Sequence, residues 1–132
     1  MTREIKHQVV IGATAAKVYD ALMDSKKHAA FTGEPAKINR KVGSSFQCYG
    51  TYITGITLAA RPGKCIVQAW RSRDWPKDHY SVVTFALSKL SGGKTRLRFT
   101  QLGVPSGDYA KKNAGWRTHY WEPLKRYVES RR

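Results

Sequence analysis

From Lys37 to Val104 the hydrophobic pattern holds a period of two, broken at Gly43, Gly50, Pro62-Gly63, Pro76 and Gly92-Gly93, and this run constrains the fold more than any other feature. Side chains alternate across a strand and each break is a turn former, so the segment reads as five or six strands of an antiparallel meander. The clearest hairpin is LSGGKT, residues 90 to 95, where Gly92-Gly93 accept the positive backbone angles of a tight turn; Pro62-Gly63 make the second. Alternation assigns the faces: Ile66, Gln68 and Trp70 lie opposite Cys65, Val67 and Ala69, and Thr95, Leu97, Phe99 and Gln101 lie opposite a wet face bearing Arg96, Arg98 and Thr100.

A sheet that is apolar on one face needs a cover, and the chain supplies one after Pro105. Ser106-Gly107-Asp108 cap a helical pattern in which Trp116, Tyr120, Leu124, Tyr127 and Val128 recur at spacings of three and four. Pro123 cannot donate to the carbonyl of His119, which predicts a kink or local loosening there with helix continuing beyond it. Upstream, Ile5, His7, Val9 and Ile11 form a first strand. Thr14 caps a helix to about Asp24, and Ser25 caps a second, short one with Ala29, Ala30 and Phe31 as its buried side, stopped by Gly33 and Pro35. The expected architecture is α+β, a helix-grip fold: a curved antiparallel sheet wrapped around a long C-terminal helix, two short helices plugging one end, and a cavity wherever sheet and helix leave space.

Residues 1–132 read as one domain, long enough to bury about two-thirds of the unfolded surface. The anomaly is charge: 24 Lys and Arg against 9 Asp and Glu give +15, spread over both halves. Such an excess attracts polyanions in general. Cys48 and Cys65 lack zinc or redox spacing and read as buried thiols in a reducing cytosol. The N-terminus lacks the apolar core of a secretory signal, and no window approaches the ~18 apolar residues of a membrane span, so the expected location is cytoplasmic.

The stretch GITLAARPGKCIVQAWRSRDWPKDHYSVVTFAL, with its Trp-Arg strand end, Trp-Pro turn and His/Tyr-started strand, resembles the activator of heat-shock-protein-90 ATPase family. GKTRLRFTQLGVP and GWRTHYWEPLKRY resemble that family's last strand and final helix, and ATAAKVYDALMDSKKHAAFTG its first helical segment. The resemblance covers nearly the whole chain. It implies the START-like (SRPBCC) superfamily, pollen-allergen-like in fold and including polyketide cyclases and lipid carriers. It also implies a heat-shock-protein-90-type chaperone as partner for a cochaperone-like or stress-related domain. The cochaperones' N-terminal domain has no counterpart in these residues, and the family gives no reason for +15.

Within that fold Trp70, Phe85, Phe99, Trp116 and Tyr120 are the candidate walls of an apolar cavity, with Gln68, Gln101 or Tyr80 as polar contacts, and a small apolar molecule is the candidate ligand. A filled aromatic core is the competing reading. His7, His28, His79 and His119 fall on separate elements without ligand spacing, so no catalytic residue, metal or cofactor is expected. A polyketide-cyclase-like enzyme stays as an alternative, with His79 or Tyr80 as the residues to test. Arg71, Arg73, Lys77, Lys111 and Lys112 are the candidate partner-binding cations; Lys125, Arg126, Arg131 and Arg132 extend the basic set along the last helix. Docking to an acidic protein surface ranks above nucleic acid, because the aromatics follow the buried periodicity rather than an exposed track. Membrane adhesion lacks an amphipathic helix with a spare apolar face.

Overall fold

The computed structural model describes residues 1–130; Arg131 and Arg132 lie outside the described residues. A first strand, β1 (Thr2–Ile11), is followed by two short helices, α1 (Ala15–Met23) and α2 (Ser25–Thr32). Five strands come next: β2 (Ser45–Cys48), β3 (Ile53–Arg61), β4 (Cys65–Ser72), β5 (Ser81–Leu90) and β6 (Lys94–Pro105). They form one antiparallel sheet in the order β1-β6-β5-β4-β3-β2, so the meander is sequential and β1 returns beside the last strand. The two hairpins fall at the expected turns, with Arg61 paired to Cys65 and Leu90 to Lys94.

The alternation holds along the strands. Ile66, Gln68 and Trp70 of β4 and Thr95, Leu97, Phe99 and Gln101 of β6 are buried, while Arg98 is exposed and Arg96 half-buried. Cys65, expected buried, is half-buried on the outer face; Cys48 is buried and both thiols are free. Gly55 has its own cause: a Cβ there would sit 1.9 Å from the Ala69 carbonyl oxygen and 2.6 Å from Cζ of Phe46, so only glycine lets Phe46 lie across β3.

Thr14 caps α1 by accepting the Lys17 amide at 3.3 Å. α2 departs from expectation in two respects. Its cap is Asp24, which accepts the Lys27 amide at 3.1 Å, while Ser25 ties the following loop by accepting from Ile38 N at 2.7 Å and donating to Ile38 O at 3.1 Å. Its buried side is His28 and Phe31, with Ala30 exposed, because one helix turn faces the C-terminal helix and Ala30 falls opposite it. Gly33, at φ 78°, ends the helix in the left-handed region.

After a 3-10 turn at Ser106–Asp108, the C-terminal rod runs as α3 (Tyr109–Gly115), a π-helical segment Trp116–Trp121, and α4 (Glu122–Glu129). The loosening required by Pro123 thus takes the form of a wider π turn in the residues before it, and the rod stays helical beyond. The His119 carbonyl, deprived of the Pro123 amide, accepts instead from Tyr49 Oη at 2.6 Å. Trp116, Tyr120, Leu124 and Val128 of the predicted stripe are buried and Tyr127 is half-buried; Trp121 joins them, because a π turn brings adjacent residues onto the sheet side. Among the described residues no helix is long and apolar enough to cross a membrane.

Candidate functional site

A cavity of about 740 Å³ lies between the β2–β4 side of the sheet and the C-terminal rod. Phe46, Cys48, Ile53, Gln68 and Trp70 supply its sheet wall and Ala114, Gly115, Trp116 and Tyr120 its helix wall. The exposed Glu34, Asp74, Lys111, Thr118 and His119 mark its opening. Gln68 is the polar group on the sheet wall; its amide donates to Thr57 Oγ1 only at the long distance of 3.5 Å.

Four of the eight predicted wall residues, Gln68, Trp70, Trp116 and Tyr120, meet at this cavity. Phe85, Phe99 and Gln101 do not: they lie in the filled core behind Trp116. Phe99 packs 4.3 Å from the Trp116 ring by centroid and 5.3 Å from Phe85. Gln101 is spent internally, accepting Trp116 Nε1 at 2.7 Å and donating to Ser81 Oγ at 3.0 Å, which in turn donates to Trp70 O at 2.8 Å. Tyr80 is 46% exposed on the far side, because β5 begins at the inward-facing Ser81 and the residue before it points outward. The aromatics are thus packed against one another on the β5–β6 side, while open space lies on the β2–β4 side.

The cations divide similarly. Arg71 is half-buried and donates to the Trp75 and Pro76 carbonyls at 2.8 and 3.1 Å, holding the Trp-Pro turn closed. Lys112 is 8% exposed, pairs with Asp108 at 2.9 Å and donates to Tyr52 Oη at 3.3 Å. Asp108 also accepts Trp75 Nε1 at 2.7 Å. Burial alone would raise the Asp108 carboxyl, but these hydrogen bonds and the lysine charges outweigh it and hold the group below the ordinary carboxylate value. Tyr52 Oη in turn donates to Asp74 at 2.6 Å, and Lys111 stands 4.0 Å from Asp74, so the cavity's rim is a bonded chain joining the Trp-Pro turn to the helix. Arg73 and Lys77 are exposed; Arg73 donates to Thr51 Oγ1.

Periodicity singles out none of Phe46, Cys48, Tyr49 and Tyr52, which come from β2 and the irregular turn after it, where Tyr49 has φ 53°. Behind the cavity wall His28 Nε2 lies 2.6 Å from Tyr120 Oη and 3.7 Å from Cys48 Sγ. Burial lowers the imidazole to about 4, pushes the Cys48 thiol up to about 12, and raises the Tyr120 phenol well above its usual value. All three are therefore neutral at pH 7, a hydrogen-bonded wall without a charged nucleophile or base. His79 donates from Nε2 to Gly103 O at 2.7 Å and stands edge-on to Trp75, a structural bond across the start of β5. Among the described residues no group of three or more His, Cys, Asp or Glu is placed to hold a metal ion.

A six-stranded antiparallel sheet gripping a C-terminal helix, with a lateral cavity walled by aromatic, aliphatic and neutral polar side chains, defines a helix-grip domain of the START-like class. More particularly, the sequence profile of the family described as Activator of Hsp90 ATPase homolog 1-like protein matches residues 12–129, and the chain belongs to that family. Among curated relatives, the activator of 90 kDa heat shock protein ATPase homolog of Dictyostelium discoideum is 28% identical over 94% of this chain and 32% of its own length. The human homolog 1 is 29% identical over 73% of this chain and 28% of its own length. The chain thus spans about a third of the first relative. Among solved structures, an HSP90 activator from Plasmodium falciparum superposes with a TM-score of 0.90 at 20% identity, covering 96% of both chains. CalU16 from Micromonospora echinospora superposes at 0.81 and 18% identity, covering 98% of this chain and 78% of its own. Both likenesses are of fold.

Proposed function

We propose that this domain is a non-catalytic binding module that docks, as a cochaperone does, on an acidic surface of a 90 kDa heat-shock-type chaperone in the cytoplasm. The observation that carries the reading is the family match over residues 12–129 on a chain of net charge +15, since a strongly basic surface steers and orients association with an acidic partner. Of the predicted cations, Arg73, Lys77 and Lys111 remain exposed for such contact, while Arg71 and Lys112 are committed to holding the Trp-Pro turn and the cavity rim. Titration of the domain into the purified chaperone of the same organism tests this directly. Arg73→Glu with Lys77→Glu should weaken binding about tenfold and reduce its salt dependence; unchanged affinity at low salt would refute the role of these cations.

A second reading, a carrier of a small apolar molecule, is favoured by the cavity itself. Its volume and its Trp70, Trp116 and Tyr120 walls suit a planar hydrophobic ligand, and nucleic acid is set aside because these aromatics face inward. Ala114→Trp places a bulky ring over the opening from the helix side without touching the core. It should abolish uptake of a fluorescent apolar probe while leaving the thermal midpoint within a few degrees; undiminished uptake would place the probe elsewhere.

A further inference from the structure

The outer face of the sheet, turned away from the helix and cavity, carries an aliphatic row that no element among the described residues covers. Register places it: Ile56 pairs with Ala69, Ala69 with Val82, and Val82 with Leu102, so four neighbouring strands contribute one side chain each to a continuous line. Ile56, Val82 and Leu102 are 43%, 38% and 50% exposed. Leu58, 47% exposed, follows Ile56 along β3 on this face, and the next ranks across β4 to β6 are Val67 beside Thr84 and Thr100, then Cys65 beside Ala86 and Arg98. Cations lie on both sides of the row along the strands. β4 runs from Ala69 through Arg71 into the loop bearing Arg73 and Lys77. Toward the other edge Lys6 pairs with Thr100, Arg98 with Gln8 and Arg96 with Val10, all on this face by alternation. Glu4, 3.8 Å from Lys6, and the exposed Asp74 and Asp78 of the loop after β4 are the carboxylates among them.

We infer that this outer sheet face is a docking surface for a partner protein whose contact patch is acidic around an aliphatic centre. The inference rests on the chaperone-binding reading above and locates its apolar anchor. An apolar centre ringed by charge is the general anatomy of a protein interface, and the positive rim selects an acidic counterpart by complementarity. A second copy of this chain fits poorly, since it would oppose the Lys6, Arg96 and Arg98 rim with an identical one on a molecule of +15. A nucleic-acid strand fits poorly as well, because the row is aliphatic and offers bases no stacking rings apart from Tyr80 at its margin.

The test uses the full chain and the purified 90 kDa heat-shock chaperone of the same organism, with affinity measured at two salt concentrations and oligomeric state by analytical ultracentrifugation. Ile56→Glu with Leu102→Glu should weaken binding at least tenfold at both salt concentrations. Lys6→Glu with Arg98→Glu should weaken it mainly at low salt, and Lys26→Glu on α2 should leave it within twofold. Unchanged thermal unfolding of the first pair verifies the fold; should that pair unfold, the milder Leu102→Ser, expected to weaken binding about threefold, replaces it. Wild-type binding that survives all face variants but is lost with Ala114→Trp would overturn this inference and leave the chaperone reading standing. No binding by the wild type would overturn both. Concentration-dependent dimers abolished by Leu102→Glu would instead make the face a contact between copies and overturn the proposed partner.

Discussion

His28 is fully buried with Nδ1 lacking a hydrogen-bond partner, and burial lowers its imidazole to about 4 from an ordinary 6.5. An unfolded chain takes up that proton near pH 6.5 while the folded one refuses it until about pH 4, so stability present above pH 6.5 is lost progressively as pH falls through that window. The full difference is about 3 kcal/mol. His7 acts in the same direction: burial lowers it, opposed by its bond to Asn113. Trp121 Nε1 can only donate, so His7 Nδ1 accepts at 2.8 Å and Nε2 donates to Asn113 Oδ1 at 2.8 Å, and a second ring proton would break the Trp121 bond. Urea midpoints should therefore fall between pH 7.5 and pH 5, and His28→Gln should be less stable at pH 7.5 yet show a shallower decline; a midpoint flat across this range would mean that both rings titrate as in the free chain. Gly55→Ala is the second test at this scale. Its methyl meets the Ala69 carbonyl and the Phe46 ring, so it should cost about 2 kcal/mol or more, read as a lowered thermal midpoint.

Among the elements, the C-terminal rod receives a contact from far along the chain at its proline defect. Pro123 denies the His119 carbonyl its backbone donor, and Tyr49, 70 residues upstream, replaces it. Tyr49→Phe should destabilise by about 1 kcal/mol. In a Pro123→Ala background the carbonyl regains an amide within reach, so the same substitution should cost less, and a double-mutant cycle measures the coupling. Equal costs in both backgrounds would mean that the hydroxyl stabilises something other than the proline defect. The short helices show how caps are decided: Asp24 and Ser25 are adjacent and equally suited by type, and Ser25 is drawn off by the amide and carbonyl of Ile38. Sequence patterning sees both candidates; only the loop's return selects between them.

For the whole molecule, +15 on 132 residues is a standing repulsion that the ion pairs relieve only locally, as at Arg40–Asp20 and Lys112–Asp108. Because salt screens distant like charges more than close pairs, raising NaCl from about 20 to about 300 mM should raise the thermal midpoint by a few degrees. A falling midpoint would show that the short-range pairs dominate. The same charge ties stability to association: substitutions that remove outer-face cations should stabilise the free domain slightly while weakening its docking.

The strand meander, its two glycine-marked hairpins, the buried faces of β4 and β6 and the covering role of the aromatic helix were legible from Lys37 to Val128, because each rests on local periodicity and turn chemistry. Residues carrying the family resemblance were legible for the same reason, as contiguous Trp-Arg, Trp-Pro and Gly-Trp pairs. Tertiary structure alone decided that Trp70 and Trp116 face open space while Phe85 and Phe99 face each other. A pattern of alternation states which way a side chain points but not how far away the opposite wall stands. It alone decided that Tyr80 falls one residue outside its strand, that Phe46 and Cys48 of β2 and Tyr49 of the turn after it complete the cavity, and that Arg71 and Lys112 are engaged in bonds within the fold rather than offered to a partner. Those outcomes depend on distances between segments remote in sequence, which are set only when the sheet closes on the helix.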